Sequence, residues 1–185
     1  GEPLVMDATV TEDEQTVARV AELAEPLEEI RNRVVAESAT AINGDRDSCR
    51  IQECEMGNLV ADAMLDRVAD QGVTIAIANS GGLRASIDAG EVTMGEVLTV
   101  LPFQNTLSTF EISGQVVIDA LENGVSQVEE VKGRFPQVAG LKFTWDASVA
   151  PNEGRIVEVL VATEDGYVPI DPAATYRVVT NNYVR

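Results

Sequence analysis

The feature that most restricts the fold is a short apolar run at residues 73–78, Val-Thr-Ile-Ala-Ile-Ala, which lies between turn-forming residues. Its length and β-branched content predict a strand, and its lack of polar alternation predicts that both faces of the strand are buried. Such a strand needs other elements packed over each face. Because helical patterns occur before and after it, we expect an α+β layered domain with a mixed β-sheet flanked by helices.

Apolar residues at helical spacing dominate the N-terminal region. Thr11 opens a capping-box pattern, and a helix over residues 12–37 is predicted from the apolar positions that follow, Val17, Val20, Leu23, Leu27, Ile30 and Val34. Pro26 falls inside this pattern, so we expect the helix to kink or break near residues 22–25. Residues 1–38 are interpreted as an extended lead-in followed by a helical or linker region.

The rest of the chain mixes helices and strands. A helix is predicted from about residue 56 to residue 70, and shorter helices are predicted after the capping residues Thr93 and Ser113. Strand patterns occupy residues 106–112, 141–145, 156–162 and 176–180. Hydrophobic residues make up 45% of the sequence, and no repeat or linker interrupts it, so residues 1–185 are predicted to form a single domain.

The formal charge of −18 argues against whole classes of partner. Polymeric nucleic acid binds to clustered cations, so we expect no nucleic-acid polymer as a partner. A small anionic ligand needs only two or three well-placed arginines and stays compatible with this charge. No run of about 18 apolar residues is present, so we expect no transmembrane segment in this chain.

Histidine is absent from all 185 residues. Catalytic zinc sites, dinuclear phosphatase centres and serine triads nearly all need histidine. We therefore expect no catalytic residue, no metal ligand and no cofactor in this chain, and we expect the chain alone to be inactive as an enzyme.

Cys49 and Cys54 are the two cysteines, and without histidine they are too few for a structural zinc site. A disulfide between them is the preferred interpretation, and it indicates an oxidising compartment. A pair of buried free thiols is the alternative that the sequence leaves open.

Three segments carry residue types suited to ligand binding. The segment after the buried strand is Asn79-Ser-Gly-Gly-Leu-Arg84. Ligands often bind at this end of a strand, and the planar guanidinium of Arg84 is suited to a phosphate or a ribose. Leu101-Pro-Phe-Gln-Asn-Thr106 presents Phe103 in a loop, where the ring could stack on a base. Arg50 stands between the two cysteines. Each segment also has a plainer alternative: a turn with a surface arginine, a phenylalanine folded onto the core, and an arginine paired with a carboxylate.

Four motifs, in chain order, resemble the C-terminal domain of the 5'-nucleotidase family. They are Cys49-Arg-Ile-Gln-Glu-Cys-Glu-Met-Gly-Asn-Leu-Val-Ala-Asp-Ala-Met64, Asn79-Ser-Gly-Gly-Leu-Arg-Ala-Ser-Ile-Asp88, Val97-Leu-Thr-Val-Leu-Pro-Phe-Gln-Asn-Thr106 and Gln137-Val-Ala-Gly-Leu-Lys-Phe-Thr-Trp-Asp146. The resemblance implies a two-domain parent protein whose metallophosphoesterase domain is absent from this chain. In the family, that N-terminal domain holds two divalent metals, such as Zn, Mn or Mg, and the C-terminal domain binds the substrate.

The resemblance also assigns substrate contacts to particular residues. It implies that Arg50 and Arg84 contact ribose or phosphate, that Asn79 hydrogen-bonds near the base and sugar, and that Phe103 stacks on the base. Tyr183 matches the family's second stacking aromatic. The predicted substrate-binding residues are therefore Arg50, Asn79, Arg84, Phe103, Asn105 and Tyr183.

Two departures from the family pattern concern the same site. The family usually continues into a Gly-Gly-Asp-type segment whose aspartate binds the ribose, whereas this chain stops at Arg185, so we expect a C-terminal end that is cut short. Gln104 stands where the family often has glycine after the phenylalanine.

For the parent protein, the resemblance implies a secreted 5'-nucleotidase-type hydrolase, periplasmic or extracellular, that converts nucleoside monophosphates to nucleoside and phosphate. This chain would be its nucleotide-binding domain, and the metallophosphoesterase domain would be the partner. The alternatives are a related 2',3'-cyclic-nucleotide phosphodiesterase/3'-nucleotidase or UDP-sugar hydrolase, and a non-catalytic binding module.

Overall fold

The computed structural model describes Pro3 and residues 5–185, which form five α-helices and nine β-strands. The helices are α1 (Glu14–Arg31), α2 (Arg46–Cys49), α3 (Glu55–Arg67), α4 (Met94–Val100) and α5 (Gly114–Gly124). The strands are β1 (Val34–Ser38), β2 (Ile75–Asn79), β3 (Gly90–Thr93), β4 (Leu107–Ser113), β5 (Pro136–Ala139), β6 (Leu141–Trp145), β7 (Ile156–Thr163), β8 (Gly166–Pro169) and β9 (Thr175–Asn181). Short 3-10 helices occupy Ala69–Gln71, Ser80–Gly82 and Val125–Glu130.

A mixed four-stranded sheet in the order β4–β9–β2–β5 forms the centre of the molecule. Strand β2 is parallel to β9 and antiparallel to β5, and β4 is antiparallel to β9. Two smaller antiparallel sheets, β6–β7–β8 and β1–β3, complete the strands. The predicted α+β layered fold with a mixed sheet is confirmed.

The side chains of β2 point alternately into two different cores. Ala76 and Ala78 pack with α3, whereas Ile75 packs with α5 and with the β6–β7–β8 sheet. Val117 and Leu121 of α5 are fully buried in this second core. The prediction of a strand buried on both faces is therefore confirmed, and the two cores hold β2 firmly at the middle of the fold.

Helix α1 differs from its prediction at both ends. It begins at Glu14 rather than after Thr11, because the Asp13 carboxylate accepts hydrogen bonds from the amide (2.8 Å) and the hydroxyl (2.7 Å) of Thr16. Aspartate is a strong N-cap in this geometry. The helix ends at Arg31, so Val34 belongs to β1 instead of the helix.

Helix α1 also continues through Pro26, so of the predicted kink or break the break is wrong, and the kink stays a prediction. A proline removes one amide donor, and on an exposed helix water can bind the carbonyl that loses its donor. The predicted apolar face exists but is not covered by the described residues, with exposed fractions of 48% for Val17, 60% for Val20, 58% for Leu23, 53% for Leu27 and 51% for Ile30. Positions 1, 2 and 4 of the predicted N-terminal region lie outside the described residues.

Most other predicted elements are present within a few residues of their expected bounds. Helix α3 and the 3-10 helix Ala69–Gln71 cover the predicted helix, and Gly72, with φ of 67°, follows them. The capping residues Thr93 and Ser113 precede α4 and α5 as predicted. Strands β4, β6, β7 and β9 match the four strand patterns. In the described part of the chain, no helix combines the length and the apolar character needed to cross a membrane.

Candidate functional site

A large open cavity, with a volume of about 880 Å³, lies beside the carboxyl end of β2. Its wall brings together all six residues that the sequence predicts for substrate binding, although they come from four separate segments of the chain. These residues are Arg50, Asn79, Arg84, Phe103, Asn105 and Tyr183. The predicted convergence of these loops into a single pocket therefore agrees with the structure, while the role of each side chain stays a prediction.

One part of the cavity wall is formed by two backbone segments in close contact. The amide of Gly81 donates to the carbonyl of Gly133 at 2.8 Å, and a Cβ placed on Gly81 would lie 3.0 Å from the same oxygen. A Cβ on Gly133 would lie 2.6 Å from the Cα of Gly81. A side chain at Gly133 would push the two segments apart, and one at Gly81 would crowd them, so the glycines allow the loop after β2 to pack against the loop before β5.

Arg50 is held by a small disulfide-closed loop. The predicted disulfide between Cys49 and Cys54 is present, with their Cα atoms 5.2 Å apart, so the alternative of two free thiols is wrong. Nη1 of Arg50 donates to the carbonyl of Val131 at 3.3 Å, and no carboxylate of the described residues pairs with it. The alternative of an arginine neutralised by an acidic neighbour is therefore wrong.

Gln137 attaches this loop to the central sheet, a role that the sequence did not reveal. Its side chain is 1% exposed, and its Nε2 donates to the carbonyls of Cys49 and Gln52, both at 2.8 Å. Its Oε1 accepts from the amide of Cys54 at 3.3 Å. A Cβ on Gly57 would clash with the same amide group, so this glycine leaves room for Gln137. A glutamine that is buried needs hydrogen-bond partners for its side-chain amide. This general requirement is the only signal by which the sequence could have indicated the role of Gln137.

Phe103 faces the cavity rather than the core. Its exposed fraction is 56%, so the alternative of a ring folded into the interior is wrong. The guanidinium carbon of Arg84 lies 5.7 Å from the ring centroid, within cation–π distance. The neighbouring Gln104 has φ of 52°, a left-handed conformation that explains why glycine would be easily accepted at this position.

Tyr183 lies on a turn that is joined to the Phe103 loop. Oδ1 of Asn181 accepts from the amides of Tyr183 and Val184, both at 3.0 Å, and Nδ2 of Asn181 donates to Asn79 at 2.9 Å. Asn182 and Thr106 exchange two further hydrogen bonds, each 2.9 Å long. The sequence did not single out Asn181, although it connects the Tyr183 turn to β2 and supports the exposed tyrosine ring.

The charge of the cavity wall is opposite to that of the whole chain. Four of the 13 basic residues line it, Arg50, Arg84, Lys132 and Arg134, and no acidic residue of the described part of the chain does. Among these four, only Lys132 forms an ion pair within the described residues, with Glu130 at 3.6 Å. Burial, followed by the positive charges of Arg46 and Arg84, lowers the pKa of Arg50, while Asp47 acts in the opposite direction. The wall is suited to an anion attached to a flat or apolar group.

Comparison with known proteins identifies the family. The model of the 5'-nucleotidase C-terminal domain matches residues 34–185. The chain belongs to the 5'-nucleotidase C-terminal domain family. It is 39% identical over 98% of its length to the trifunctional nucleotide phosphoesterase protein YfkN of Bacillus subtilis, and 28% identical over its whole length to snake venom 5'-nucleotidase of Crotalus adamanteus. It also resembles the crystal structure of a 5'-nucleotidase precursor from Thermus thermophilus, with a TM-score of 0.86 and 45% identity over 92% of this chain.

This 5'-nucleotidase C-terminal domain corresponds to only part of each relative. It spans 12% of the Bacillus protein, 34% of the venom protein and 34% of the Thermus chain. Within residue 3 and residues 5–185, no three His, Cys, Asp or Glu side chains come together to hold a metal ion. The venom relative shows that the family includes a protein found in a secretion.

Proposed function

We propose that this chain is the nucleotide-binding domain of a 5'-nucleotidase-type hydrolase that converts nucleoside monophosphates to nucleoside and phosphate. The proposal rests on the composition of the cavity wall. Three arginines, Arg50, Arg84 and Arg134, have no carboxylate partner among the described residues, and they line the same cavity as the exposed rings of Phe103 and Tyr183. A nucleotide has the complementary chemistry, with an anionic phosphate attached to a flat base.

Each part of the nucleotide has a matching group in the cavity. Phe103 and Tyr183 provide faces on which a base can stack, which is worth about 1–3 kcal/mol per base. Arg50 and Arg84 provide planar donors for a phosphate or a ribose. Oδ1 of Asn79 accepts a hydrogen bond from Nδ2 of Asn181, so the side-chain nitrogen of Asn79 is left to donate to the ligand.

Hydrolysis is assigned to a metallophosphoesterase domain of the parent chain with two divalent metals, which activate water and neutralise phosphoryl oxygens when bound. The present domain would contribute by positioning, because its arginines and aromatic rings would hold the nucleotide in a fixed orientation while the other domain acts on the phosphate. The uncovered apolar face of α1 supports contact with another part of the parent, since half-exposed valine and leucine side chains on one helix face favour burial. The disulfide supports a periplasmic or extracellular location.

Isothermal titration calorimetry of this chain with AMP and with adenosine tests the proposal. We expect saturable binding of both ligands, and we expect Arg84→Ala to weaken AMP by about 10–100-fold, the usual value of a hydrogen bond to a charged group. Phe103→Ala should weaken both ligands, because both carry the base. Arg177→Ala is the matched control, since its guanidinium lies outside the cavity and pairs with Glu111 at 2.9 Å.

Absence of saturable binding at millimolar AMP would contradict the proposal, and so would an equal effect of Arg84→Ala and Arg177→Ala. The name of the Bacillus relative, a trifunctional nucleotide phosphoesterase, is compatible with related activities in the parent, such as a 2',3'-cyclic-nucleotide phosphodiesterase/3'-nucleotidase or a UDP-sugar hydrolase. Product analysis on the parent protein with AMP, a cyclic nucleotide and a UDP-sugar separates these activities. A parent that binds nucleotides but hydrolyses none of them would be a non-catalytic binding module.

A further inference from the structure

Val131 has a backbone conformation that its own side chain disfavours. Its φ of 53° and ψ of 39° are left-handed, a region that residues branched at Cβ rarely occupy. Val131 follows the 3-10 helix Val125–Glu130, and its amide donates to the carbonyl of Val128 at 2.9 Å. Glycine or asparagine is the usual residue at such a helix end. Contacts elsewhere must therefore impose this conformation, and backbone strain of this kind is concentrated at functional sites.

The disulfide loop contacts this turn from one side. Nη1 of Arg50 donates to the carbonyl of Val131 at 3.3 Å, and a Cβ placed on Gly133 would lie 3.6 Å from the guanidinium carbon of Arg50. The neighbouring Ile51 packs against three buried residues that flank the turn, Val125, Val128 and Phe135. Arg50 therefore lies directly on residues 131–133, and its direction depends on how this turn is folded.

The loop after β2 contacts the turn from the other side. The amide of Gly81 donates to the carbonyl of Gly133, so the turn stands between the segment that carries Arg50 and the segment that leads to Arg84. These two cations lie far apart in the sequence. A single turn therefore supports both segments of the cavity wall that carry them.

The guanidinium of Arg50 has few other contacts that could orient it. Its Nε is buried and has no hydrogen-bond partner among the described residues. Within the same part of the chain, its one hydrogen bond is the bond to Val131, and it forms no ion pair. An arginine side chain is flexible, so its packing on residues 131–133 is what gives Arg50 a defined direction.

We propose that Val131 is a positioning residue of the proposed nucleotide site, because its left-handed turn holds Arg50 in the direction in which the guanidinium meets the anionic part of the nucleotide. This proposal rests on the proposed function, in which Arg50 is one of the anion contacts. Val131 acts through Arg50 and not on the ligand itself. A cation that is held in place before the ligand arrives loses less side-chain freedom on binding, which strengthens the complex.

Calorimetric titration of variants of this turn with AMP and with adenosine tests the proposal. Proline has φ fixed at about −65°, so it cannot adopt the conformation of Val131. We expect Val131→Pro to weaken AMP binding by about tenfold or more, the usual effect of losing a hydrogen bond to a charged group, and adenosine binding by less than about threefold. Adenosine is the reference ligand because it lacks the phosphate.

Asn152→Pro is the matched control. Asn152 is also left-handed, with φ of 61°, but it is exposed and lies outside the cavity. Its replacement should leave the ratio of the AMP and adenosine dissociation constants within about twofold. Val131→Asn is the conservative variant, because asparagine tolerates the left-handed conformation, and it should also keep this ratio within about twofold. A loss in Val131→Asn as large as that in Val131→Pro would assign the effect to the valine side chain and overturn the role of the turn.

A double-mutant cycle tests whether the turn acts through Arg50. In an Arg50→Gln chain, Val131→Pro should weaken AMP binding by no more than about a further twofold, because the cation that the turn positions is gone. If circular dichroism shows that Val131→Pro does not fold, Gly133→Ala displaces the same turn, since its Cβ would lie 2.6 Å from the Cα of Gly81. The same selective loss of AMP binding is then expected.

The outcomes separate this proposal from the proposed function. An unchanged ratio in a folded Val131→Pro chain, or in Gly133→Ala where that variant replaces it, overturns the positioning role alone, since AMP still binds. An equal change in Asn152→Pro, or an undiminished loss in the Arg50→Gln background, overturns it as well. No AMP binding by the unmodified chain overturns the proposed function itself.

Discussion

Replacing Gln137 by leucine tests whether one buried amide holds the disulfide loop in place. Leucine has a similar size but cannot hydrogen-bond, so the substitution removes all three bonds to the loop that carries Arg50. Three backbone groups then lose their hydrogen-bond partner. The Cys49 carbonyl and the Cys54 amide are buried, whereas the Gln52 carbonyl can reach water.

The size of the effect follows from those three groups. Each buried backbone group left without a partner costs about 1–3 kcal/mol, and the hydrated carbonyl adds little. We therefore expect Gln137→Leu to lower the free energy of unfolding by about 2–5 kcal/mol, a large share of the usual total of about 5–15 kcal/mol. For a chain of this size, the corresponding fall in Tm is roughly 10 °C.

Thermal and urea unfolding followed by circular dichroism measure this loss. Gln115→Leu is the matched control, because Gln115 is an exposed glutamine on α5 whose side chain donates to the exposed Asp119. The change in its free energy of unfolding should stay within about 0.5 kcal/mol. Hydrogen exchange adds a local measurement, in which the amide of Cys54 should exchange faster in Gln137→Leu. A loss of stability below about 1 kcal/mol, with unchanged exchange at Cys54, would refute the role assigned to Gln137.

Three further predictions concern stability. Reduction of the Cys49–Cys54 disulfide should lower the free energy of unfolding by about 2 kcal/mol, measured by urea unfolding with and without reductant; equal midpoints would contradict this. Burial raises the pKa of Glu122, but the amides of Arg155, Ile156 and Gly154 together hold it below its ordinary value, so its stabilisation is present above that value and is lost as the pH falls through the lowered pKa. Glu122→Gln should therefore destabilise the chain more at pH 7 than at about pH 3, and a difference independent of pH would be inconsistent with this cause. Leu27→Ser on the uncovered face of α1 should change stability by less than about 0.5 kcal/mol, whereas Leu121→Ala in the core should cost about 2–5 kcal/mol; a comparable loss for both would show that the α1 face is covered.

Elements with strong local patterns were predictable from the sequence. The run at 73–78 indicated β2, since a strand between two apolar layers has no polar position. Ser113 marked the start of α5 because its hydroxyl can accept from an amide of the first turn. These signals are local, so they do not depend on how distant segments pack.

Helix α1 shows where local patterns mislead. Thr11 and Asp13 can both cap a helix, and only the structure shows that Asp13 accepts from Thr16. The apolar spacing of α1 predicted a core-facing helix, yet spacing carries no information on which partner covers that face. Val34 continues the helical pattern, but it pairs in β1 with Thr93 of β3, a long-range contact.

The sequence predicted only those residues of the candidate site that lie in recognisable motifs. Arg50, Arg84 and Phe103 stand in segments with recognisable residue types, and the structure places them around one cavity. Gln137 was missed, because its importance comes from what surrounds it in space. A buried amide becomes informative only when the structure shows which segments it joins.

Mapping the AMP site on this chain by two-dimensional NMR tests whether the cavity beside β2 binds a nucleotide. We expect saturable chemical-shift changes at the amides of the loop after β2, the Phe103 loop and the Tyr183 turn, with small changes in the β6–β7–β8 sheet. Shifts that scatter over the surface, or that cluster away from the cavity, would contradict the claim that this cavity binds a nucleotide.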